Sequence, residues 1–116
     1  MSQLNEELTN KNEIRLPYFD GFKGTKCVVR CNRSGVFYGT FQWLEGTMCL
    51  ITDVQNIWYW AGAATVLQLA TDGVALPNET KISIKVSSLV VTDAVEIVPC
   101  TEKAIKCLDS ISPWTA

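Results

Sequence analysis

The chain has 116 residues, 47% hydrophobic and 19% charged, with a net charge of −2 and no histidine. That length is one domain's worth with a real core, and the slight acidic balance argues against a nucleic-acid polymer as partner. Lacking histidine, it lacks the commonest general base, the Ser-His and Cys-His nucleophile pairs and the commonest metal ligand, which lowers the expectation of catalysis.

Residues 1–22 are polar with scattered apolar positions at Leu4, Leu8, Ile14 and Leu16. Leu4 to Leu8 suit a short helix, and Pro17 stops anything longer. This stretch is expected to be an N-terminal arm, flexible or docking, ahead of a single domain over 23–116. It has no signal-peptide h-region, and no apolar run reaches a membrane span. From Lys26, KCVVRCN reads as a strand and Asn32 to Gly35 as a turn. VFYGTFQW is a second strand, Leu44-Glu45-Gly46 a turn, and TMCLITDV a third strand that IWYW prolongs. From Ala61 or Gly62 the propensities switch to helix. Val66, Leu67, Leu69 and Ala70 give an apolar face, and Gly73 stands where such a helix ends. KISIKVSS alternates, with Ile82, Ile84 and Val86 on one face. LVVTDAVEIV follows, broken near Asp93 and ended by Pro99. Thr101 caps a last helix, EKAIKCLDSI, with Ala104, Ile105, Leu108 and Ile111 on one side. The expected fold is α+β, a mostly antiparallel sheet of about five strands with two helices packed on it.

Charge is uneven along the chain. Gly21 to Leu44 holds no Asp or Glu but carries Lys23, Lys26, Arg30 and Arg33. Such a patch suits a small anionic ligand, or is simply a solvated basic face. Lys103 and Lys106 on the last helix read as a solvated face. The five cysteines are Cys27, Cys31, Cys49, Cys100 and Cys107. Without CxxC spacing or a second pair they make no zinc site, and they read as free thiols in a reducing cytosol. Cys100 lies just before a helix N-terminus, where a thiolate is favoured, but no base is visible and a buried structural cysteine is the better reading.

IWYWAGAA, residues 57–64, places three aromatic residues directly before four small ones. One reading is core, with small residues letting a helix pack closely. The other is a stacking site, where base–aromatic stacking contributes about 1–3 kcal/mol per base. In that reading Trp58 and Tyr59 stack, Trp60 is core, and Arg30 and Arg33 hold phosphate. The backbone at Gly62 and Ala63, as a helix N-terminus, adds N–H donors to phosphate. Asn56, Asn78 and Thr92 are candidate polar readers, though Thr92 equally suits a bend.

Arg30, SGVFYG at 34–39, IWYWAGAA at 57–64 and VVTDAVEIVPCTEKAIKCLDSI at 90–111 together resemble the family of the first-described Thoeris anti-defence phage protein. The resemblance spans about residues 27–114, with WYWAGA and EIVPCTEKA its most specific pieces. It implies a sponge that binds glycocyclic ADP-ribose isomers made by TIR-domain proteins and does not cleave them. It also implies, for some members, cyclic di- or trinucleotides of CBASS at separate sites, and dimers or hexamers with pockets at the interfaces. No cofactor, metal or membrane is implied, and the setting is the cytoplasm of the infected host.

Three rival readings stand beside this one. An enzyme acting on the same signals needs a base or metal, and only unpaired carboxylates such as Asp53, Asp72, Asp93 and Glu96 are on offer. A protein-interaction module would use the aromatic block as a contact surface. A nucleic-acid binder is disfavoured by the absence of Lys and Arg from Gly35 to Thr80.

Overall fold

The computed structural model describes residues 17–116. Its strands are β1 (Tyr18–Phe19), β2 (Lys26–Cys31), β3 (Val36–Glu45), β4 (Met48–Tyr59), β5 (Lys81–Ile82), β6 (Val86–Val91) and β7 (Ala94–Pro99). Helix α1 (Val66–Asp72) and a short 3-10 turn (Pro77–Glu79) separate β4 from β5, and helix α2 (Glu102–Asp109) follows β7. The architecture is α+β, with one seven-stranded antiparallel sheet and two helices.

The sheet runs β5-β4-β3-β2-β7, with β6 beside the first half of β4 and β1 beside the end of β3. Strand β6 lies beside β4 and β7 at the far end of the path beyond β3 and β2, yet only Thr92 and Asp93 separate them in the chain. The sheet therefore curls until its two edges are joined by one bend. Bulges help it curl. Between the pairs Tyr38↔Gln55 and Thr40↔Thr52, Gly39 alone faces Asp53 and Val54, and Asp53 takes φ 47. An aspartate tolerates that left-handed conformation better than most residues.

Curling gives β2 two buried faces. Cys27, Val29 and Cys31 point inward with Phe41, Cys49, Ile51, Val54, Val91 and Ala94. Val28 points outward with Tyr38, Ile57 and Ile82, where Val66, Leu69, Ala70, Leu108 and Ile111 cover them. The Tyr38 hydroxyl donates to Asp109 Oδ1 at 2.8 Å, tying α2 to the sheet. Burial, then this hydrogen bond, pushes the phenol well above its ordinary pKa. Burial likewise pushes the thiols of Cys27, Cys31 and Cys100 up to about 12 and that of Cys49 to about 11. At Cys100 the nearby Lys26 pulls the other way but is outweighed, so this cysteine is a protonated packing residue.

Three expectations need correction. The helix does not open at Ala61 or Gly62; it opens at Val66, with Thr65 as cap. Thr65 Oγ1 accepts from Gln68 N–H at 3.1 Å while Gln68 Oε1 accepts from Ala64 N–H at 2.8 Å, a reciprocal cap that fixes the start. Leu67, expected on the apolar face, is exposed. KISIKVSS is two strands, and Ile84 and Val86 are exposed rather than on a buried face with Ile82. Ser83 causes the break. Its Oγ accepts from Asn56 N–H at 2.8 Å, its N–H donates to Asn56 O at 2.8 Å, and its carbonyl accepts from Gln55 Nε2 at 3.0 Å. These bonds replace a regular ladder and swing the next residues outward.

Of the expected N-terminal arm, residues 1–16 with the helix over Leu4 and Leu8 lie outside the described residues. Further on, Tyr18 and Phe19 pair with Glu45 and Leu44, and Gly46 N–H donates to Pro17 O at 2.7 Å. The rings of Phe19 and Phe22 pack on Phe41 at 6.0 and 6.1 Å.

The bend at Asp93 is locked to the β2–β3 turn. Its carboxylate accepts from Ser34 Oγ at 2.6 Å and from the N–H groups of Arg33 and Ser34 at 2.7 and 2.9 Å. The Ser34 hydroxyl first, then the backbone donors, lower its pKa from 3.8 to about 2. A depressed folded pKa contributes stability that is present above the unfolded value and lost as pH falls through the folded one. Acid unfolding followed by circular dichroism should therefore show wild type losing stability from about pH 4 down to about pH 2. Asp93→Asn should be less stable at neutral pH and should lose less stability across that window. An unchanged acid slope in Asp93→Asn would remove the clamp from the account.

Candidate functional site

The end of β4 carries its aromatic residues to the surface. Beyond Ile57, which is buried, Trp58 is 49% and Tyr59 50% exposed. Trp60 turns inward against the helix-covered core, its Nε1 donating to Ala63 O at 3.3 Å. Trp58 and Tyr59, expected to stack, are thus half exposed, and Trp60, expected in the core, is partly buried against it.

The small residues that follow serve a close approach between loops. Gly62 takes φ 95, and a Cβ on it would stand 2.5 Å from Ala75 N. Its carbonyl accepts from Ala75 N–H at 3.1 Å, and that of Ala61 from Leu76 N–H at 3.2 Å. The loops before and after α1 are thereby zipped together. Gly62 and Ala63 are not a helix N-terminus, so the phosphate cradle expected from their backbone does not form in that way.

Beside Trp58 stand two residues that sequence reasoning did not select. Trp114 meets Trp58 edge-to-face, centroids 5.4 Å apart and planes at 75°. Lys81 Nζ lies 5.7 Å from the Trp58 centroid and 5.5 Å from that of Trp114. Such cation–π contacts hold an ammonium in place without neutralising it. Lys81 is the register partner of Tyr59, which brings it to this end of β4. Trp114 also lines a cavity of about 360 Å³ with Pro77, Asn78, Thr80, Ser110 and Ser112. Trp58 packs on the Trp114 indole, and Asn78 lines the cavity that Trp114 borders. Lys81 is brought here by β5 pairing with the end of β4, and neither it nor Trp114 had a local pattern to announce it.

The other expected residues lie elsewhere. Arg30 is a cross-strand partner of Glu96, its Nε donating to Glu96 Oε1 at 2.9 Å, an exposed pair worth at most about 1 kcal/mol. Arg33 and Thr92 flank the Asp93 clamp, and Thr92 O accepts from Thr47 Oγ1 at 2.8 Å. Thr92 is a bend residue. Asn56 lines a separate notch of about 110 Å³ with Phe37, Ser83 and Leu89, and its Nδ2 donates to Val36 O at 3.3 Å. Lys103 pairs with Asp72 at 3.5 Å on the surface. Among the described residues no three Cys, Asp or Glu side chains gather as a metal site.

Residues 24–108 match the model of a family described as a domain of unknown function (DUF6948). The chain belongs to the DUF6948 family. No curated protein and no solved structure matches it. The DUF6948 span takes in the sheet from β2 onward and nearly all of α2, and it stops short of Trp114. No helix among the described residues is long and apolar enough to cross a membrane.

Proposed function

We propose that the protein binds nucleotide immune second messengers and sequesters them without cleavage, as a phage anti-defence sponge in the cytoplasm of an infected host. The ligand class is glycocyclic ADP-ribose, with cyclic di- or trinucleotides as further candidates. The observation that carries the reading is the half-exposed aromatic end of β4 beside the Lys81 ammonium. Planar bases stack on indole and phenol faces, and a fixed cation attracts phosphate. The sequence resemblance through IWYWAGAA points to the same chemistry.

Size bears on assembly. Pockets for small ligands span roughly 300–1,000 Å³. A cavity of about 360 Å³ with the adjoining Trp114 indole and Lys81 suits one nucleotide, so a cyclic messenger with more than one overhangs it. A second copy of the chain completing the site resolves this, and we propose a homo-oligomer, dimer or hexamer. Nanomolar capture needs about 12 kcal/mol, which is attainable when the site is preorganised.

Calorimetry on the purified full chain tests the reading, with glycocyclic ADP-ribose and a cyclic trinucleotide as titrants. Tight binding of at least one is expected. An absence of heat with both overturns the assignment for those signals. A protein-interaction module is the second reading, favoured by the exposed Ile84, Val86, Val90 and Val95 on and beside the edge strands β6 and β7. In that case the calorimeter stays silent with nucleotides.

A further inference from the structure

We propose that the turn after α2 forms a base-stacking subsite. The exposed part of the Trp114 indole takes a planar heteroaromatic base, the adjoining cavity takes its sugar, and Lys81 takes a phosphate. The inference rests on the nucleotide-binding reading and names the part of the molecule that holds one nucleotide unit.

Trp114 is held, yet left open. Its backbone N–H donates to Ile82 O at 2.8 Å, the preceding Ile111 is anchored in the core, and its ring rests edge-to-face against Trp58. The residue nevertheless remains 53% exposed. A fixed aromatic surface loses little conformational freedom when a base settles on it. The Trp58 contact is edge-to-face, so it does not use the indole pair as a closed sandwich.

The charge and the polar groups fit the rest of a nucleotide. Among the described residues Lys81 pairs with no carboxylate, and its ammonium is already positioned by both indoles. In the cavity, Thr80 Oγ1 is occupied, accepting from Ala61 N–H and donating to Leu76 O. Ser110 donates to Cys107 O at 2.6 Å and keeps its acceptor capacity. The side chains of Asn78 and Ser112 make no hydrogen bond among the described residues and face a space that a ribose fills. Stacking on a flat face discriminates little between bases, so adenine and guanine should be held alike.

The test uses the full chain, with AMP, GMP, adenosine and inorganic phosphate as probes, and glycocyclic ADP-ribose as messenger. Indole N–H resonances are followed by NMR, that of Trp114 being identified by its loss in Trp114→Phe. AMP and GMP should shift the Trp114 resonance at similar concentrations, with adenosine and phosphate alone much weaker. Trp114→Ala should weaken glycocyclic ADP-ribose binding about ten-fold or more, the loss of one stack, and Trp114→Phe should restore most of it. Lys81→Gln should reduce AMP binding towards that of adenosine, and this variant carries the test if Trp114→Ala does not fold. Messenger binding by wild type that persists undiminished in Trp114→Ala or, failing that, Lys81→Gln overturns the subsite and leaves the nucleotide reading intact. No binding of any probe or messenger to wild type overturns both.

Discussion

Replacing Phe41 with alanine is expected to destabilise the domain by about 3–5 kcal/mol and to lower Tm by more than about 10 °C. Phe41 is fully buried at the centre of the curled sheet, among Cys27, Val29, Ile51 and Val54. It also receives the rings of Phe19 and Phe22, so its loss opens the interior and undocks the segment around β1. The neighbours are held in strands on both sides and cannot collapse into the space, which is what makes such a truncation costly. Thermal unfolding of Phe41→Ala against wild type measures this. A change below about 1 kcal/mol would mean that the interior of the sheet is not the main core.

Gly39→Val is the second large effect. A Cβ at this position would stand 2.7 Å from Ile51 Cγ2, 2.9 Å from Thr52 O and 3.0 Å from Val54 Cα. Two of those atoms are backbone of β4 and cannot swing aside. Overpacking a core typically costs about 1–3 kcal/mol, and a clash against backbone belongs at or above the top of that range. Because Gly39 faces the Asp53–Val54 bulge, the substitution also opposes the bend that lets the sheet close. Denaturant unfolding should show a lower midpoint, whereas a neutral result would mean that the bulge relaxes freely.

Much of the fold is legible in short stretches of sequence. The start and the buried face of the last helix are marked by local signals, with Thr101 as cap and Ala104 and Leu108 buried; the helix ends at Asp109, two residues before the expected Ile111, which packs on the core beyond it. Strands β2, β3 and β4 follow from alternation and turn residues, because hairpin partners are near in sequence. Closure of the sheet was not legible. It depends on Asp93 reaching Arg33 and Ser34, 60 and 59 residues away. The helix start was misplaced because Ala61 to Ala64 have helix-compatible composition, while the positive φ of Gly62 and its bond to Ala75 override it. Ser83 broke an alternating run through hydrogen bonds to a strand that alternation alone does not identify.

The candidate site divides in the same way. Trp58 and Tyr59 were legible because an aromatic run directly before a run of small residues is unusual for a core and suits stacking. Lys81 and Trp114 were not, since their proximity is produced by β5 pairing with β4 and by the chain end returning to Ile82. Arg30 and Arg33 suggested a phosphate site by charge; the fold pairs the Arg30 guanidinium with Glu96 and uses the backbone N–H of Arg33 in the Asp93 clamp, away from Trp58.

The central claim is that the protein holds an intact nucleotide messenger. The most direct measurement incubates the full chain with glycocyclic ADP-ribose, removes unbound ligand by gel filtration, releases the bound fraction by heat and determines its mass. The account predicts co-elution with the protein and recovery of the unchanged mass. Ligand that fails to co-elute, or that returns with an altered mass, would contradict it.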